Sequence, residues 1–122
     1  MIRALATGLL LAALATTPAL AHAFLVKSDP PVGSTVNAAP KILVLSYTED
    51  LEIPFCIVTV TDSMGMNDAA GKPQPVPGHA NEMQVPLNIQ MPGKITVAWR
   101  ALSTDTHKTQ GSFSFTVGPK GS

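Results

Sequence analysis

Residues 94–117 read KITVAWRALSTDTHKTQGSFSFTV, and this stretch decides the fold. In 94–102, Ile95, Val97, Trp99 and Ala101 fall on one face, and Thr96, Ala98 and Arg100 fall on the other. In 112–117, Phe113, Phe115 and Val117 oppose Ser112, Ser114 and Thr116. An apolar period of two is the mark of a strand with one face on a core. The polar run between the two is a loop, so the spacing predicts a hairpin with Asp105 and His107 near its tip.

The same reading extends upstream. Residues 41–49 (KILVLSYTE) form a strand with Leu43, Leu45 and Tyr47 on one face, which Glu49 continues at its end. Residues 55–62 (FCIVTVTD) are rich in β-branched residues and read as another strand, with Cys56 beside Val58 and Val60. Cys56 is the lone cysteine, so no intramolecular disulfide holds the fold, and its place in the strand is that of a small buried hydrophobe. Residues 22–27 look like a short first strand, followed by turns dense in Pro, Gly, Ser and Asn through residue 40. Residues 63–80 read as a long surface loop with a short strand around Gln74–Val76. Pro86 confines the run 82–89 to an edge or a bulge. No helical period follows Ala21. The expected fold is all-β, an Ig-like or Greek-key sandwich of about seven strands.

The first 21 residues read as an export signal. Arg3 precedes an apolar run rich in Ala and Leu over 4–15, and Ala19-Leu20-Ala21 has the small–x–small form of a cleavage site. The run is shorter than the roughly 20 residues of a membrane span. Cleavage after Ala21 leaves one domain, residues 22–122, with His22 first, expected to be soluble in the periplasm. It carries seven Lys/Arg against eight Asp/Glu, a balance that argues against nucleic acid as a partner.

Cleavage frees an α-amine on the residue that bears the His22 imidazole, so the amine and Nδ1 can close a chelate ring on one metal ion. His107 adds a third nitrogen and Asp105 an oxygen. A tetragonal N/O set suits Cu(II), which also heads the divalent affinity order. The same residues have plainer readings: a solvated terminal histidine, an exposed loop histidine, and a loop aspartate bonded to its own backbone. Spacing alone leaves both open.

The two ends of the mature chain resemble the CopC family of periplasmic copper-binding proteins. HAFLVKSDPPVGSTVNAAPKILVLSYTEDL is similar to that family's start, and WRALSTDTHKTQGSFSFTV to its Trp-Arg strand, Ser-x-Asp-x-His loop and Gly-led last strand. The resemblance spans the mature chain and is weakest in the middle loop. It implies a β-sandwich holding Cu(II) through His22, Asp105 and His107, and a CopD-type inner-membrane protein as partner in copper homeostasis or resistance. Glu49 matches an acidic residue of the family and either orients a ligand from behind or is a solvated strand-end charge. Some family members hold Cu(I) with several methionines. Here only Met64 and Met66 stand at that place, at most weak Cu(I) contacts, so no full Cu(I) site is expected.

Binding without turnover is therefore the expected activity. A copper-dependent oxidative enzyme also uses an N-terminal His chelate, but Asp105 would fill the position such chemistry leaves open. A metal-free adhesion or assembly sandwich would leave the Asp-x-His loop unexplained.

Overall fold

The computed structural model describes residues 23–119. The segment read as an export signal and His22 lie outside the described residues. Eight strands run in chain order: β1 (Leu25–Asp29), β2 (Thr35–Val36), β3 (Ile42–Tyr47), β4 (Ile57–Thr61), β5 (Gln74–Val76), β6 (His79–Pro86), β7 (Gly93–Leu102) and β8 (Lys108–Val117). They form two four-stranded sheets, ordered β1-β3-β6-β5 and β2-β8-β7-β4. Every connection except the β5–β6 and β7–β8 hairpins passes from one sheet to the other, which ties the layers into the expected sandwich.

The alternating apolar residues meet between the layers. Leu43, Leu45 and Tyr47 of β3, with Met83 and Val85 of β6, pack against Val58 and Val60 of β4, Ile95, Val97 and Trp99 of β7, and Phe115 and Val117 of β8. All are buried. The long β7–β8 hairpin runs in unbroken antiparallel register from Gly93↔Val117 to Leu102↔Lys108. That register carries its connecting loop, residues 103–107, to one end of the sandwich.

Several local readings change: the first strand runs later than expected, at Leu25–Asp29, and Thr35–Val36, inside the stretch read as turns, pairs with β8 as β2. Cys56 precedes β4 and closes a single 3₁₀ turn, Ile53–Phe55, but it keeps the parity of Val58 and Val60 and is buried as expected. Pro86 does not confine its strand to an edge. β6 lies between β3 and β5, and the proline is tolerated because it is the strand's last residue. β6 also begins earlier than the alternation suggested, at His79, because Pro77-Gly78 is a two-residue turn between Val76 and its partner His79. Gly78 has φ 81°, and proline followed by a glycine in that region is the signature of a type II turn.

A second glycine is required by packing. Gly111 pairs with Trp99 across the hairpin, and a Cβ there would stand 2.7 Å from Cζ2 of the indole. The ring lies over the glycine and meets Tyr47 edge-on, with centroids 5.1 Å apart and planes at 79°.

Candidate metal centre

The loop after β7 is built around Ser103, which is fully buried. Its N–H donates to the His107 carbonyl at 3.0 Å, and its own carbonyl accepts from the Thr106 N–H at 2.9 Å. Thr106, between the two candidate ligands, takes φ 72°, a left-handed conformation that a β-branched residue adopts only under constraint. The constraint comes from both sides of the loop. Ser103 bridges Leu51, and the Thr104 N–H donates to the Asp50 carbonyl at 3.0 Å.

This frame aims Asp105 and His107 at each other. Asp105 Oδ2 lies 3.2 Å from His107 Nδ1, and Asp105 Oδ1 accepts a short hydrogen bond from the Ser103 hydroxyl. The Ser103 hydroxyl holds the Asp105 carboxyl below the usual carboxylate range, helped by the side chain and N–H of His107. An ionised carboxylate and an imidazole thus stand together, with side chains 39% and 49% exposed, open to an ion from solution. Replacement Ser103→Ala should raise the Asp105 carboxyl toward its ordinary value, read from the pH dependence of its side-chain carbon resonance by NMR. An unmoved resonance would remove the serine from this role.

The start of the described chain reaches the same end of the sandwich. Ala23 is fully buried, and its carbonyl accepts from the Thr109 hydroxyl at 2.6 Å, across 86 residues of sequence. Thr109 is two residues beyond His107. Phe24 exchanges hydrogen bonds with Thr48: its N–H reaches the Thr48 hydroxyl at 3.0 Å, and its carbonyl accepts from the Thr48 N–H at 2.9 Å. The N-terminal segment is therefore pinned at Ala23 and Phe24, between the start of β8 and the end of β3.

Glu49 lies in the bend after β3, half-buried, between Thr48, which holds Phe24, and Asp50, which holds the loop. Its side chain makes no hydrogen bond to Asp105 or His107 among the described residues. No three His, Cys, Asp or Glu side chains converge among those residues, so Asp105 and His107 are a pair there.

Met64 and Met66 are elsewhere. Both are exposed in the loop after β4, where Asp62 Oδ1 accepts their N–H groups at 2.9 and 3.0 Å. That loop abuts Gly93, which begins β7, whereas the Asp105 loop follows its end. Ten residues of strand, on the order of 30 Å, separate the two. Met83 is sealed in the core and cannot join them. Burial pushes the Cys56 thiol up, away from the thiolate that binds metals.

Motif spacing pointed to Asp105 and His107; the Ser-x-Asp-x-His and Gly-led patterns contain Ser103 and Gly111 without assigning either a role, and Thr109 was passed over. Ser103 had a local signal, a small hydroxyl residue two positions before an aspartate. The Thr109–Ala23 bond had none.

The fold and the paired donors define a small all-β protein that presents a carboxylate and an imidazole at one end of a sandwich. The CopC domain model matches residues 25–118, and the chain belongs to the CopC family of copper resistance and copper transport proteins. It is 34% identical over 122 residues to copper resistance protein C of Escherichia coli, covering 94% of this chain and 95% of that one. It is 30% identical over 99 residues to copper transport protein CutJ of Bacillus subtilis, covering 80% of this chain but 18% of that one. The crystal structure of CopC from Methylosinus trichosporium OB3b is similar at a TM-score of 0.74 and 28% identity, covering 80% of this chain and 95% of that one. No helix among the described residues is long and apolar enough to cross a membrane.

Proposed function

We propose that the processed protein is a periplasmic Cu(II) carrier. It holds one ion through the His22 amine and imidazole, His107 and Asp105, and passes copper to a CopD-type inner-membrane protein without turnover. The observation that carries this reading is the hydrogen bond from Thr109 to the Ala23 carbonyl. His22 is one peptide bond from Ala23, and adjacent Cα atoms are about 3.8 Å apart. A chelate on His22 would therefore start from a chain segment held beside the His107 loop. CutJ supports the delivery step, since a segment like this chain makes up 18% of that copper transport protein. Glu49, placed between the two tethers, would act on the ligands from behind. Met64 and Met66, at the far end, would contribute no more than weak Cu(I) contact.

A competitive Cu(II) titration with EPR on protein beginning at His22 tests the reading. Thr109→Val should lower affinity on the order of tenfold while leaving the same nitrogen-rich tetragonal signal, because the tether orients the ligands without supplying one. Equal affinities for the two proteins would show that the tether has no part in binding.

Acid should release the copper well above the carboxylate range. The Asp105 carboxyl is depressed in the fold. Its ionised form, and the stability it lends, persist above its ordinary value near 3.9 and are lost only as pH falls through the lower folded value. The amine titrates ordinarily at about 7.7–8.0, so affinity should decline from there by about tenfold per pH unit for each displaced proton. Asp105→Asn should weaken binding at every pH without moving the onset of release. An onset confined to the carboxylate range would exclude the amine as a ligand.

A further inference from the structure

The outer face of the β2-β8-β7-β4 sheet carries a basic, apolar groove at the same end as the Asp105–His107 loop. Across the strands Ile57, Arg100 and Gln110 stand in one row, and Leu102 and Lys108 in the next. Phe55, from the 3₁₀ turn, closes the side. The concavity is about 400 Å³. Phe55 is 68% exposed and Ile57 53%, and with Leu102 they make the apolar part of the groove.

Its lining charges are both basic, with Glu52 adjoining the groove through backbone hydrogen bonds with Leu102 and Phe55. Arg100 and Lys108 line the groove and no carboxylate does. Arg100 faces Gln110, so Lys108 is its diagonal neighbour across the hairpin, a separation of about 7–8 Å. No acid lies within ion-pair distance of Arg100 among the described residues. Two like charges beside an exposed phenylalanine are unfavourable alone and complementary to a carboxylate-bearing apolar segment. Lys108 also directly follows His107, so whatever occupies the groove sits beside the proposed copper ligands.

We propose that this groove docks the membrane copper acceptor, through a periplasmic loop of that protein that sets an aromatic or aliphatic side chain between acidic residues. The proposal rests on the delivery reading above and names the face on which delivery occurs. The apolar side chain seats against Phe55 and Ile57, and its flanking carboxylates meet Arg100 and Lys108. A groove of this size makes a small, transient contact, suited to handing over an ion and then leaving. Its charges act mainly on encounter, so association weakens as salt rises.

The test measures binding of the processed, copper-loaded protein to the CopD-type acceptor of the same cell, held in nanodiscs of zwitterionic lipid. Arg100→Glu and Phe55→Ser should each weaken association by about tenfold or more. Lys94→Glu, on the same sheet face at its far end, should leave it unchanged. Cu(II) affinity and melting temperature are measured for each variant and should match wild type, since both substituted side chains are exposed and neither is a ligand. Acceptor binding that is unaffected by Arg100→Glu and Phe55→Ser overturns the docking face while leaving delivery intact. Equal binding to empty nanodiscs of anionic lipid makes the groove a membrane-surface site and also overturns it. Wild-type protein that binds Cu(II) but never the acceptor removes the delivery reading, and the docking face with it.

Discussion

Cu(II) affinity is expected to fall by on the order of a hundredfold or more when the α-amine of a processed His22 is acetylated. Acetylation turns the amine into an amide with no new amine ahead of it, and so breaks the chelate ring with the His22 imidazole. His107 and Asp105 remain, and two donors alone bind copper weakly. The Thr109–Ala23 hydrogen bond lies on the other side of His22 from the addition, so the fold should be unaffected. Competition against a chelator of known affinity gives the number, and thermal melting without metal gives the control. EPR should lose nitrogen character along with the affinity. Unchanged binding at unchanged stability would leave the Asp105–His107 pair without its terminal partner and end the carrier proposal in its present form.

The largest effect on stability is expected at Trp99. Trp99→Ala empties the space between Tyr47 and Gly111 and should cost about 3–5 kcal/mol. That is a large part of the roughly 5–15 kcal/mol that holds a domain of this size. Gly111→Ala attacks the same contact from the other side. A methyl 2.7 Å from the indole must push a ring already packed edge-on with Tyr47 in the core, so a loss of about 1–3 kcal/mol is expected. Trp99→Phe with Gly111→Ala should cost less than the sum of the two single changes, because a smaller ring leaves room for the methyl. Urea denaturation of the four proteins measures this. Strict additivity would mean that indole and glycine do not touch in solution.

Most of the fold was legible along the chain. The alternation in β3, β7 and β8 names the buried faces correctly, because side chains on a strand alternate and one sheet face meets the core. Where the reading slipped, the cause was local. At Pro86 a strand end was taken for a strand edge or a bulge, and at residues 77–78 a type II turn was hidden inside what looked like a longer loop. Cys56 was placed one element too late, since the 3₁₀ turn before it has no alternation to announce it.

The site divides in the same way. Asp105 and His107 were legible because they are two residues apart on one predicted loop, and their types already specify donors. Ser103 was visible as the first residue of the Ser-x-Asp-x-His pattern, but its role was not, since a hydroxyl in a loop gains one only when buried against the carboxylate. The separation of Met64 and Met66 from that loop follows from the direction of β7, which no spacing between them reveals.

By itself, then, the sequence determined the strand faces, the hairpin and the chemical character of the donors at its tip. These depend on backbone periodicity and on side-chain types, which are properties of neighbouring residues. Only the tertiary structure decided that the first described residue, Ala23, lies against Thr109, and that Phe55, Arg100 and Lys108 share a groove beside the loop. Those meetings depend on sheet order and on how two sheets close over one core, and residues far apart in the chain carry no local mark of it.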